Sequence, residues 1–143
     1  MTQDDSQRTF RDEMEGEPAA HSLLVTSDRA RQELDDGNVG VALLLAATEA
    51  EARLIQKLQI YFEVYPQAFG ELCGNMSLGS YLGICNKNDL VHKEFREPLN
   101  NLINKRSNLA HDFGYFIQLE EDTEEREKVR EIVSNCCDWF DSD

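Results

Sequence analysis

The sequence has little of what most catalytic and membrane machinery requires. Its longest unbroken apolar run is Val41 to Ala47, far too short to span a bilayer. Met1 leads into a polar, acidic stretch with no apolar core of the signal-peptide kind, so a cytoplasmic protein is expected, without a membrane partner. The cysteines Cys73, Cys85, Cys136 and Cys137 match no zinc spacing. The adjacent pair falls in a helical pattern where neither side chain can readily meet the other, so the four read as buried, reduced thiols behaving as small hydrophobes. Alternating strand patterns, internal repeats and Gly-rich phosphate loops are lacking. So is any set of acids at metal-ligand spacing, and neither a metal nor a cofactor is expected. Basic residues are scarce: 14 Lys and Arg against 28 Asp and Glu give a formal charge of −14. Such a balance argues against nucleic-acid binding by the surface as a whole. It keeps a protein soluble and is a device of halophilic proteins.

The distribution of charge matters more than its sum. From Lys87 to His111 five basic residues face three acidic ones, a local balance of +2 that leaves −16 elsewhere. At 143 residues the chain is long enough for one domain with a substantial core. Residues 1–19 hold too few apolar side chains to offset the entropy of ordering and read as a disordered acidic tail, with the folded domain over 20–143. His21, beyond that tail, has no partner in sight and reads as a surface histidine.

Helical periodicity dominates the rest. A first helix is expected from about Ala20 to Leu34, with Leu23, Ala30 and Leu34 inward, closed by Asp35-Asp36-Gly37-Asn38. A second, from Val39 to about Phe62, is apolar nearly all round in its first half. It then narrows to Ile55, Leu58 and Phe62, as the central helix of a bundle does. Glu49, Glu51 and Arg53 interrupt it, and Pro66 is expected to end it. A glycine-rich loop then leads to a short helix holding Met76, Tyr81 and Leu82. A turn at Asn86 to Asp89 follows, with Asp89 as a candidate cap for the next helix. The last helix is expected over about Thr123 to Phe140, with Val129, Val133, Cys136 and Phe140 facing inward. The class is all-α, a bundle of four or five helices.

The chemistry is carried by Glu94 to Phe113, EFREPLNNLINKRSNLAHDF. Pro98 falls early in this helix, and Gly114 is expected to end or kink it. Phe95, Leu99, Leu102, Leu109 and Phe113 form an apolar stripe with Arg106 in the middle of its arc. A second face is polar but mostly uncharged: Asn100, Asn104, Ser107 and His111, with Asn108 beside it. His92, ahead of this helix, reads as a surface residue. Arg106 and His111 form Arg-x4-His, a spacing of low specificity by itself. The structural alternatives are an Arg106 buried in the core against Glu49 or Glu51, and a His111 that merely meets the C-terminal end of the helix dipole.

The run NKRSNLAHDF resembles the signature of the HEPN superfamily, small helical bundles whose late helix carries Arg-x4-6-His, commonly as Arg-Asn-x-x-Ala-His. The resemblance is close over residues 102–112 and loose over 20–140. It implies a four- to five-helix bundle and a homodimer acting as a metal-independent RNA endonuclease, in some members a toxin held by an antitoxin. His111 would move protons and Arg106 would grip the phosphate, while Ser107, Asn108, Asn104 and Lys105 would contact the substrate. There are two departures: Ser107 stands where active members commonly carry Asn, Asp or His after the arginine, and Phe113 stands where members silenced by nucleotide transfer carry Tyr. The same stretch also resembles proteins like the mannitol-operon repressor, which implies a rival reading as a non-catalytic regulator that binds protein.

Overall fold

Three long helices carry the packing of the computed structural model, which describes residues 28–143. In chain order the elements are α1 (28–35), α2 (Val39–Tyr61), α3 (Pro66–Cys73), α4 (Leu78–Lys87), α5 (Lys93–His111), α6 (Gly114–Glu121) and α7 (Thr123–Ser142). No strand occurs among the described residues. The tail expected for 1–19, His21 and Leu23 lie outside them. The described part of the first helix buries Ala30 and Leu34 as expected.

Helix α2 is the axis of the bundle. Ala42, Leu43, Ala46, Ala50, Leu54 and Leu58 recur at steps of one, three and four and are all buried, which puts one stripe against α4, α5 and α7. Leu99 and Leu102 from α5, Tyr81, Leu82 and Cys85 from α4, and Val129, Val133, Cys136 and Phe140 from α7 complete the core. Each fully buried leucine contributes about 1.5–3 kcal/mol relative to exposure. All four cysteines are free, and Cys85, Cys136 and Cys137 are buried. Burial pushes the Cys85 and Cys137 thiols up to about 11, so they stay protonated and pack as hydrophobes.

The first helix ends where expected, and several other helix ends differ. Gly37, with φ +84°, closes α1, its N–H donating to Leu34 O while Asn38 N donates to Glu33 O. Helix α2 stops at Tyr61 because Glu63 enters the left-handed region at φ 53° and Val64 N turns back to Gln59 O at 2.8 Å. Pro66 therefore does not end that helix; it opens α3 from a position where its missing N–H is harmless. Asp89 does not cap α5. It sits at φ 55° in the preceding turn and pairs with Arg96 at 3.0 Å, while His92 is the N-cap. Pro98 lies inside α5, near its exposed start. Gly114 neither ends nor kinks α5; it is the first residue of α6.

The connections around the motif are short. Asp112 and Phe113 alone separate α5 from α6, and Asp122 alone separates α6 from α7. Both aspartates work as caps: Asp112 Oδ1 accepts from Gly114 N at 2.9 Å, and Asp122 Oδ1 accepts from Glu124 N and Glu125 N. These backbone donors, Glu125 N first, hold the Asp122 carboxyl below its ordinary value. No helix among the described residues is long and apolar enough to cross a membrane.

Candidate functional site

The C-terminal two turns of α5 do not pack as the apolar stripe predicts. Leu99 and Leu102 are buried, Leu109 is half-buried, and Arg106 is exposed. The cause is the line along which α5 meets its neighbours. Beyond Leu102 the covered side drifts to Lys105 and Leu109, where α6 and α7 pack. Neighbouring residues on a helix point about 100° apart, so turning Lys105 inward turns Arg106 out. Arg106 is therefore no core arginine, and neither Glu49 nor Glu51 answers it. The core arginine is Arg53, whose Nε donates to Glu49 Oε1 at 2.7 Å within α2. Phe113, expected at the end of the stripe, is 86% exposed and lies outside the helix.

Lys105 reaches across to α7, where its ammonium donates to Glu125 Oε1 at 2.5 Å. The same oxygen accepts the Tyr115 hydroxyl at 2.6 Å. Lys105 first, and Tyr115 second, hold the Glu125 carboxyl below its usual range. The Tyr115 phenol is pushed well above its ordinary value, chiefly by burial and then by the carboxylate it bonds. Tyr115 thus remains a protonated donor to Glu125 and is no acid-base group near neutral pH.

Beside this triad lies an open pocket of about 420 Å³. Helix α5 contributes Ser107, Asn108 and His111; the turn and α6 contribute Asp112, Tyr115 and Gln118; α7 contributes Glu125. Three of the six residues expected at the site, Ser107, Asn108 and His111, are brought together here. Asn104, Lys105 and Arg106 are not among its lining. Asn104 and Arg106 are exposed, and no ion pair with a described residue engages Arg106. On α5 five residues turn the chain by about 500°, so Arg106 and His111 project some 140° apart.

Tyr115, Gln118, Asp112 and Glu125 were missed as site residues. For Glu125 a signal existed: it is the first member of the stripe Glu125, Val129, Val133, Cys136 and Phe140, at steps of four, four, three and four. An acid on the inward face of a helix calls for partners, but the run Glu120 to Glu125 reads as solvated charge. No group of three or more His, Cys, Asp or Glu that could hold a metal ion occurs among the described residues.

Fold and site together define an all-helical protein whose open polar pocket is lined in part by a histidine at a helix C-terminus, with an exposed arginine on the same helix projecting away from that histidine. Comparison with protein-family models, curated proteins and solved structures finds no match.

Proposed function

We propose that the protein is a metal-independent RNA endonuclease of the HEPN type, acting as a homodimer. The observation that carries the reading is the state of the two motif residues. Arg106 is solvent-exposed and not neutralised by a described carboxylate, and His111 is exposed at the mouth of a pocket with Ser107 and Asn108. Neither side chain is accounted for by the core.

In the proposed reaction the ribose 2′-oxygen forms a bond to the adjacent phosphorus while the bond to the 5′-oxygen breaks. His111 takes the 2′-hydroxyl proton, a task suited to imidazole. The departing 5′-oxygen takes a proton from water while His111 returns its own to solvent, giving a 2′,3′-cyclic phosphate and a 5′-hydroxyl. Arg106 grips the phosphate through its fork of donors and stabilises charge in the transition state. Since the two side chains of one chain diverge, the guanidinium facing each His111 comes from the second copy.

The test is incubation of a mixed RNA pool with the protein in EDTA, alongside His111→Ala and Arg106→Ala. The wild type is expected to leave cyclic phosphate ends, and each variant to lose at least about 10²-fold in rate. A mixture of the two inactive variants would recover roughly a quarter of wild-type activity if sites are shared across a two-fold interface. No cleavage by a folded dimer across a range of salt would sink the nuclease. That outcome would favour the protein-binding regulator, for which Phe113 and Ile117, exposed beside the motif, supply an apolar contact surface.

A further inference from the structure

We infer that the pocket beside His111 receives a nucleobase bearing an exocyclic amine, and that the phosphate lies outside it. The inference rests on the RNA reading above and names the group that reading leaves unplaced. The first argument is charge. No Lys or Arg lines the pocket, whereas Asp112 and Glu125 do. Lys105, the cation bonded at its edge, is already committed to Glu125. A phosphate there would meet carboxylates without a compensating cation.

The second argument is the sense of the hydrogen-bonding groups. Glu125 is an ionised acceptor, held so by Lys105 and Tyr115. Tyr115 gives its one proton to Glu125 and its oxygen is approached by the Asn108 amide, so it has no proton to offer a ligand. Asp112 spends Oδ1 on Gly114 N and keeps Oδ2 as an acceptor. Ser107, Asn108, His111 and Gln118 can each donate as well as accept, whereas the two carboxylates only accept, so the balance of the lining lies toward acceptors and negative charge. The complementary base edge carries an N–H₂, as in adenine, cytosine and guanine; uracil offers carbonyl oxygens in its place. At about 420 Å³ the pocket falls in the size range of small-molecule sites.

The experiment is titration of the full-length ¹⁵N-labelled protein with cytidine, adenosine, uridine, ribose 5-phosphate and butylamine, following backbone amide shifts. Cytidine or adenosine should move the amides of Asn108, His111, Tyr115 and Gln118 and saturate at concentrations at least about tenfold below uridine. Ribose 5-phosphate should leave the amides of Tyr115 and Gln118 in place. Asp112→Asn keeps an oxygen for Gly114 N, turns the free acceptor into a donor, and should cut the preference to less than about threefold while the spectrum stays dispersed. Equal binding of uridine, a response to ribose 5-phosphate at Tyr115 and Gln118, or the same response to butylamine would overturn the assignment. The last would mark the pocket as a generic cation site of the kind a lysine-bearing protein partner could use. Cleavage of RNA without nucleoside shifts would sink the pocket and leave the nuclease standing. Nucleoside shifts without cleavage would support the pocket and sink the nuclease.

Discussion

A guanidinium inside a helical bundle has to be answered by a carboxylate, and in this molecule the answer lies within one helix. Arg53 takes Glu49 four residues earlier, stacks over Phe140 at 5.2 Å and reaches Asp143 at 3.4 Å. Replacing Arg53 by Met leaves Glu49 buried without its ion pair and should cost about 3–5 kcal/mol in chemical denaturation, most of which Glu49→Gln in the same chain should restore. Burial raises the Glu49 pKa, the Arg53 pair only partly opposing it, and the second oxygen, Oε2, is buried without a partner. The folded state thus binds that proton more tightly than the unfolded state does. Stability should fall as pH rises from the ordinary carboxylate value through the raised one, and Glu49→Gln should remove this loss. Glu125 has the opposite sign. Its pKa is lowered, so its contribution is present above the ordinary value, disappears as pH falls through the lowered one, and is absent in Glu125→Gln. Denaturation midpoints from about pH 3 to 7 would separate the two. The spacing of Glu49 and Arg53 allows an i, i+4 pair, yet the sequence pattern sets Glu49 or Glu51 against Arg106 instead. Which of Arg53 and Arg106 lies inside was not legible, because it depends on how α5 crosses its neighbours.

At the level of elements, the long helices α2, α5 and α7 were legible because each carries a sustained period of three and four. Of the short ones, α4 was legible from Tyr81 and Leu82, but α3 and α6 were not. Proline opens α3 and glycine opens α6, the residues that read as interruptions when only neighbours in the chain are considered. What holds them is tertiary: Phe69 from α3, and Tyr115 and Leu119 from α6, are buried in the common core. Helix α6 also makes a demand on α2 that no local pattern shows. A Cβ built on Gly40 would lie 2.7 Å from the Phe116 ring, so the two helices meet through an absent side chain. Gly40→Ala gains up to about 1 kcal/mol of helix propensity. It should nevertheless destabilise the protein by about 1–3 kcal/mol through overpacking. Adding Phe116→Leu should recover most of that loss in thermal or urea unfolding. A gain in stability from Gly40→Ala alone would show that α6 can move away from α2 at little cost.

Over the whole molecule, the charge of −14 sets two responses to salt in opposite directions. Self-repulsion of so acidic a chain is screened as the Debye length falls from about 30 Å at 0.01 M to about 3 Å at 1 M. The melting temperature should therefore rise with sodium chloride, whereas binding of RNA phosphates should weaken. A melting temperature independent of salt would mean that charge is spaced widely enough to be harmless. The all-helical class was legible from periodicity and from the lack of strand patterns. The pocket was not, because three separate helices contribute its walls and nothing in the chain marks their meeting. Those helices are joined by Asp112 and Phe113 on one side and by Asp122 alone on the other. With so little slack, neither joint can swing as a lid. One residue inserted at either joint would rotate a whole wall together with its cap. New preferences in that pocket are thus open to side-chain exchange and closed to insertion, so related chains should diverge there in residue type while keeping the spacing from Ser107 to Glu125.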